Sequence, residues 1–168
     1  AGADLTSPAA MDDGPPEFDV LVRLLGDITV EGGRPLKPKA ASVVAYLAMN
    51  RAITTDRLVE ACWYGTDGVA PVKRLRDTMT EVRDAFGSQH FPANRAGIYT
   101  VGPRVGTDLD LFDWHVQRAS AAEILDAIDH YRFALGLVRR PLFGYANAAR
   151  ASFGWVDVIF ETRECGVY

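Results

Sequence analysis

The chain has few of the residues that catalytic and metal sites commonly use. Only 2 of its 168 residues are cysteine and 3 are histidine. His90, His115 and His130 are not spaced like metal ligands, and the sequence has no glycine-rich phosphate loop or nucleophile motif. Cys62 lies in an apolar segment and is interpreted as a small buried side chain. We therefore expect no enzyme activity, no cofactor and no metal.

Long hydrophobic runs are also missing. No run is long enough to span a bilayer and no signal peptide is evident, so we expect a cytoplasmic protein without membrane contact. The two cysteines lie far apart in the sequence, which is compatible with a reducing compartment. The hydrophobic content of 48% allows real cores, and the length suits one or two small domains.

Positive charge is scarce as well. The chain holds 18 basic and 22 acidic residues, a net charge of −4, which is unusual for a protein that binds nucleic acid. The charge is unevenly spread: residues 1–19 have five acidic and no basic residues, residues 20–107 have twelve basic and eight acidic, and residues 108–168 have six basic and nine acidic. Phosphate attraction depends mainly on local charge, because screening acts within roughly 8–10 Å. Only the central segment, with a surplus of +4, indicates a surface for DNA.

Short apolar runs divided by glycine and proline predict the first elements of the fold. Residues 20–25, 28–30 and 34–36 predict three short strands, with Gly26-Asp27 and Gly32-Gly33 as turns. One helix is predicted from Pro38 to about Met49, and a second after Thr54 or Thr55. The apolar positions of these two helices are Val43, Val44, Leu47 and Ala48 in the first, and Leu58, Val59, Cys62 and Trp63 in the second.

The stretch from Ala70 to Val101 is the most informative part of the chain. It begins with a long amphipathic helix, for which Pro71 suits the start and Gly87 the end. The helix has one apolar stripe that must be buried, formed by Val72, Leu75, Met79, Val82 and Phe86. Its opposite face carries Lys73, Arg74, Asp77, Thr80, Glu81 and Asp84. Any surface helix packed on a core has this pattern, so the stripe alone does not indicate a function.

A short hairpin is predicted directly after this helix. Residues 90–92 and 98–101 would be its strands, with Asn94 and Arg95 near the tip. A helix followed by a basic hairpin is how a winged helix meets DNA, with the helix in the major groove and the hairpin on the backbone or in the minor groove. The alternative is an ordinary exposed hairpin. The predicted element order is β-β-β-α-α-α-β-β.

After residue 108 the apolar residues recur at helical spacing, whereas before it they form short runs typical of strands. The apolar residues of a helix from Ala121 to Val138 recur at Ile124, Leu125, Ile128, Tyr131, Leu135 and Val138. Trp155 to Arg163 could begin another helix. Asp108 and Asp110 alternate as if on one side of an extended segment, where an interdomain structural role is expected. Trp63, Trp114 and Trp155 are predicted to anchor cores or domain contacts.

The order and spacing of several motifs resemble the Streptomyces antibiotic regulatory protein (SARP) family over about residues 20–118. The matching pieces are VRLLG at 22–26, GRPL at 33–36, Lys39 with the alanine-rich helix to Leu47-Ala48, TDRLV at 55–59 through Trp63, LRDT at 75–78, VR at 82–83 with FG at 86–87, GIY at 97–99, and DLD at 108–110 with Phe112. This resemblance implies a response-regulator-type winged helix-turn-helix in residues 19–108, preceded by a disordered tail or linker at 1–18. The fold class is α+β, with an N-terminal antiparallel sheet and a C-terminal wing.

The resemblance also implies a second part and a function. Residues 109–168 would be a partial or reduced bacterial transcriptional activator domain, a short all-α, tetratricopeptide-like lobe; a generic helical extension is the alternative. The whole would be a transcription regulator that binds direct repeats in double-stranded promoter DNA and recruits RNA polymerase, with self-association left open.

Seven residues are the candidate DNA contacts. We expect them to be Lys73, Arg74, Arg76, Asp77 and Thr80 in the long helix, and Asn94 and Arg95 in the wing. The acidic residues Asp77, Glu81 and Asp84 repel phosphate, although a carboxylate can accept a hydrogen bond from cytosine N4. The alternative function is a non-enzymatic protein-interaction module whose winged helix has lost DNA binding.

Overall fold

The structure is a computed structural model that describes residues 14–63, 70–144 and 155–156. Most of the predicted tail, the segment between the second helix and Ala70, Cys165 and all but the first two residues of the helix predicted at 155–163 lie outside the described residues. The elements in chain order are β1 (Val20–Arg23), β2 (Thr29–Glu31), α1 (Pro38–Asn50), β3 (Ala52–Thr54), α2 (Thr55–Trp63), α3 (Pro71–Phe86), β4 (Ile98–Thr100), β5 (Val105–Thr107), α4 (Asp108–Ala121) and α5 (Ile124–Leu137).

The strands form two small sheets. In the first, β1 lies between β2, with which it pairs antiparallel, and β5, with which it pairs parallel. In the second, β3 pairs antiparallel with β4. The first sheet is therefore mixed, which corrects the expectation of an antiparallel N-terminal sheet. The third strand predicted at 34–36 is wrong, because β5 occupies the second edge of β1 and Pro35 has no N–H to give to a ladder.

The core lies between the first sheet and helices α1, α2 and α3. It confirms the predicted apolar side of α1, since Val43, Val44, Leu47 and Ala48 are all buried. In α2, Leu58, Cys62 and Trp63 are buried, and the N–H of Arg57 donates to the Thr54 hydroxyl at the start of the helix. Burial raises the pKa of the Cys62 thiol to about 12, so this group remains protonated at neutral pH and packs as a small apolar side chain.

Helix α3 has the predicted bounds and nearly the predicted stripe. It begins at Pro71, and Gly87 follows its last residue with a φ of 93°. Leu75, Met79, Val82 and Phe86 are buried. Val72 is 45% exposed, so the buried stripe begins one turn later than predicted.

Asp108 joins the first sheet to the helices that follow it. Its fully buried carboxylate accepts hydrogen bonds from the N–H groups of Leu24, at 2.7 Å, and Leu25, at 3.1 Å. Burial raises the pKa of Asp108 above its ordinary value, and the two N–H donors offset only part of this rise. Asp108 and Asp110 lie in the first turn of α4, so the predicted extended segment is wrong. A reciprocal pair of hydrogen bonds between Thr107 and Asp110 starts the helix there.

Helices α4 and α5 form a helical hairpin whose apolar side faces outward. The predicted helix 121–138 is present as α5, with a later start. Its α4-facing side includes the small, buried Ala134 and the partly buried His130. The large apolar residues at the helical spacing predicted above are instead exposed: Ile124, Leu125, Ile128, Tyr131, Leu135 and Val138.

Two histidines meet between α4 and α5. The Nδ1 atoms of His115 and His130 are 3.0 Å apart, and the ring of Phe133 stacks on His115 at a centroid distance of 5.3 Å. A hydrogen bond between the two nitrogens requires one of them to be unprotonated. Burial and, after it, the neighbouring His130 lower the pKa of His115.

Acidification should therefore destabilise the α4–α5 hairpin. The pKa of His115 is lower in the folded protein than in the unfolded chain, so the stability it contributes is lost as pH falls through about 6.5, where the unfolded state takes up the proton first. The melting temperature should fall between neutral pH and about pH 5.5, and fall less in His115→Gln. His90→Gln, at a histidine 3.6 Å from the Asp19 carboxylate, is the control. A His115→Gln variant as acid-sensitive as wild type contradicts the prediction.

Candidate nucleic-acid interface

Four side chains form the outermost ridge of α3, on the side opposite the buried residues. The exposed ridge consists of Lys73, Asp77, Thr80 and Asp84, spaced four, three and four residues apart. Lys73 Nζ lies 3.1 Å from Asp77 Oδ2, and their side chains are 70% and 63% exposed. The Thr80 hydroxyl donates to the carbonyl of Arg76 at 3.0 Å. The structure therefore brings Lys73 and Asp77 together as one exposed ion pair.

Arg74 and Arg76 lie on opposite flanks of this ridge. Arg74 lies on the same side of α3 as Glu81, seven residues later. The Glu81 carboxylate accepts a hydrogen bond of 3.5 Å from the N–H of Lys37, just before α1. Arg76 lies on the same side of α3 as Arg83, seven residues later. The Nε of Arg83 donates a hydrogen bond to the backbone carbonyl of Phe91. Both Arg74 and Arg76 are exposed, and within residues 14–63, 70–144 and 155–156 neither has a hydrogen-bond or ion-pair partner for its guanidinium.

Basic charge is concentrated in the first part of α3. Residues 71–80 contain three basic side chains and one acidic, whereas residues 81–86 contain one basic and two acidic. The positive end of the helix dipole adds to this asymmetry at the N-terminus, where no side chain caps the helix. The start of α3 is therefore the end that is electrostatically suited to a polyanion.

The predicted wing is a tight turn. Arg95 and Ile98 exchange two backbone hydrogen bonds of 3.1 and 3.0 Å around Ala96 and Gly97, both of which have positive φ. Positive φ at both central residues is typical of a type I′ turn, the preferred connection of short hairpins. We call residues 94–98 the 94–98 turn. The Arg95 side chain is exposed beside its tip.

The strand predicted at 90–92 is wrong, and β4 pairs with β3 instead. The ring of Phe91 is fully buried and lies 5.9 Å from that of Phe86, and Pro92 has no N–H. Burial of Phe91 therefore draws this segment into the core. One backbone bond, from Gly102 N–H to the His90 carbonyl, links it to the chain after β4.

Asn94 holds the 94–98 turn in place. Its Nδ2 donates to the Thr55 hydroxyl at 2.8 Å, and its Oδ1 accepts from the Gly97 N–H at 2.9 Å. Thr55, the first residue of α2, also donates its backbone N–H to the Gly97 carbonyl. The sequence pattern indicated Thr55 as a helix cap and as part of the TDRLV motif, but not as a contact of the 94–98 turn. Among the described residues no hydrogen bond or ion pair joins Asn94 or Arg95 to α3.

An open groove of about 620 Å³ lies beside the second half of α3. It is lined by Arg34, Pro35, Leu36 and Lys37 on one side and by Glu81, Asp84 and Ala85 on the other. The guanidinium of Arg34 donates to the Asp84 carbonyl at 2.9 Å. Arg34 and Lys37 are not among the seven predicted DNA contacts, although Arg34 lies in the GRPL motif. The groove adds two basic side chains near the acidic half of α3.

Neither a metal site nor a membrane-spanning helix is present in the part of the chain that the structure describes. Over the ranges that the structure describes, no three histidine, cysteine or acidic side chains are grouped as metal ligands would be. None of the helices in those same ranges combines the length and apolar character needed to cross a membrane.

The fold is similar to that of a solved structure. No protein-family model matches the chain, and no curated protein does. The structure of Mycobacterium tuberculosis EmbR in complex with a low-affinity phosphopeptide is similar, with a TM-score of 0.64 and 20% sequence identity. The match covers 89% of this chain and 44% of that one, so this chain spans less than half the length of EmbR. The fold is thus a mixed α/β fold like that of EmbR.

Proposed function

We propose that the protein is a DNA-binding, non-enzymatic transcription regulator of SARP type. Residues 19–108 would be its winged-helix domain and residues 109–168 a partial activator domain. The observation that carries the proposal is the basic, exposed first half of α3 on a helix whose other side is fixed in the core. The sequence motifs shared with the SARP family and the likeness in fold to EmbR support the same conclusion.

The proposed complex places the first half of α3 in the major groove. Recognition helices contact base edges with their N-terminal residues, which here are the residues around Lys73, Arg74 and Arg76. The two arginines lie on opposite flanks of the ridge, so they can approach the two walls of the groove or the base edges between them. Arg95, at the 94–98 turn, would contact a phosphate next to the groove.

Salt-titrated DNA binding tests the proposal. Arg74→Ala should cost about 1–3 kcal/mol on a selected site if Arg74 contacts a base. Arg95→Ala should weaken binding to all sequences alike and reduce the salt slope by about 1, because one phosphate contact is lost. Arg132→Ala on α5 is the matched control, since it removes the same charge from an exposed pair with Asp129. Wild-type affinity in both the Arg74 and Arg95 variants would contradict the proposed contacts.

The proposal also includes three interactions with partners that do not depend on α3 alone. The DNA would carry direct repeats, the second part of the protein would recruit RNA polymerase, and copies of the protein could associate on adjacent repeats. The outward apolar side of α5 supports a protein-contact role for this part, because exposed apolar patches of this kind are typical of interaction sites.

A second candidate function is a protein-interaction module that no longer binds DNA. The observation in its favour is the acidic second half of α3, where Glu81 and Asp84 would repel phosphate. The same titration separates the two functions. Absence of wild-type binding to any duplex at low salt favours the module, whereas salt-dependent binding favours the regulator.

A further inference from the structure

Asp77 has a setting that differs from that of the other acidic residues of α3. It lies in the basic half of the helix, on the exposed ridge, and pairs with Lys73 one turn earlier. Glu81 is turned toward the backbone of Lys37, and Asp84 lies in the acidic half. If α3 enters the major groove, Asp77 is the carboxylate placed among the groove-facing cations. There it would weaken binding through phosphate repulsion unless it contacts a base.

We infer that Asp77 selects a C·G base pair by accepting a hydrogen bond from cytosine N4, with Lys73 donating to the paired guanine. This inference rests on the proposed function. An ionised carboxylate only accepts hydrogen bonds, and the major groove offers it two donors, cytosine N4 and adenine N6. Adenine N6 lies beside the N7 acceptor, which repels a carboxylate. Cytosine presents its amino group without such a neighbour on the same base.

The Lys73–Asp77 pair matches the edge of one such base pair. Guanine offers O6 and N7 as acceptors, and the cytosine paired with it offers N4 as a donor. The Lys73 ammonium has three donors and the Asp77 carboxylate has two oxygens, so each group can keep its 3.1 Å contact with the other and still bond a base. The ion pair therefore orients both side chains before DNA arrives.

Selection of binding sites from randomised duplexes tests the inference with the full chain. Wild type should retain cytosine at one position, with an affinity roughly tenfold higher than for adenine there. Asp77→Asn should reverse the preference to adenine, because an amide can bond N6 and N7 together. Asp84→Asn makes the same charge change on the same helix and is the matched control. It should bind all sequences somewhat more tightly and keep the wild-type preference.

The outcomes distinguish this inference from the proposed function. If Asp77→Asn binds all duplexes more tightly but keeps the wild-type preference, Asp77 only repels phosphate and the inference is overturned. If wild type binds DNA without any base preference, the inference is likewise overturned while DNA binding stands. If wild type binds no DNA at low salt, the proposed function fails and the inference falls with it. Because Asp77 is 63% exposed, its variant should melt like wild type.

Discussion

Replacement of Asp108 by alanine should lower the free energy of unfolding by about 2–5 kcal/mol, because two buried N–H groups would lose their acceptor. The carboxylate joins the end of the first sheet to the first turn of α4. Because Asp108 is fully buried, water does not take its place as the acceptor for the two N–H groups. The loss should therefore exceed that of an ordinary exposed substitution several-fold.

Denaturant unfolding of the full chain measures this effect. Asp113→Ala is the matched control, because Asp113 lies on the same helix and is exposed, and it should change stability by less than about 0.5 kcal/mol. Asp108→Asn should give an intermediate loss, since an amide keeps one acceptor oxygen but also brings N–H groups toward the backbone donors. If Asp108→Ala unfolds at the same denaturant concentration as Asp113→Ala, the proposed anchoring by Asp108 is wrong.

The second large effect is expected at Trp155. This side chain is buried, with its ring 5.3 Å from that of Tyr46 and 5.4 Å from that of Phe143. Its Nε1 donates to the Ser42 hydroxyl at 2.8 Å. Trp155→Ala should cost about 3–5 kcal/mol, because it removes a large buried ring and the donor to a buried hydroxyl on α1.

A double-mutant cycle isolates the hydrogen bond from the packing. Trp155→Phe keeps a ring but leaves the Ser42 hydroxyl without this donor, and Ser42→Ala removes the acceptor. The double variant should lose less stability than the sum of the single variants, because no buried polar group is left unpaired in it. Strict additivity would show that the 2.8 Å contact contributes nothing. Trp114→Ala, at a half-buried ring, should cost less than Trp155→Ala.

The parts of the fold that were predicted correctly depend on local patterns. The spacing of apolar residues gave α1 and α3, with Pro38 and Pro71 at their starts and Gly87 after α3, because these features act within one or two turns. The pairing of β4 with β3 could not be predicted in the same way. Strand pairing depends on which segments meet in space, and Phe91 is drawn into the core instead of pairing with β4.

The features of the candidate site likewise divide into those that local patterns predict and those that depend on contacts between distant segments. The exposed ridge of α3 and the Lys73–Asp77 pair follow from helical periodicity, which the sequence displays directly. The contact of Asn94 with Thr55 joins residues 39 apart in the chain, so no local pattern could indicate it. The start of α4 was a missed signal, because Thr107 followed by Asp110 has the spacing of a capping box.

The parallel pairing of β1 with β5 has a consequence for synthesis on the ribosome. The register joins Val20 to Val105, so the first sheet closes only after nearly the whole α1–β5 segment has been made. Helices form from local contacts, whereas a pairing over such a separation must first overcome the entropy of closing a long loop. Helices α1, α2 and α3 can thus form as the chain emerges, whereas β1 pairs only with β2 until β5 has been synthesised. Nascent chains halted before Val105 should therefore remain protease-sensitive at β1.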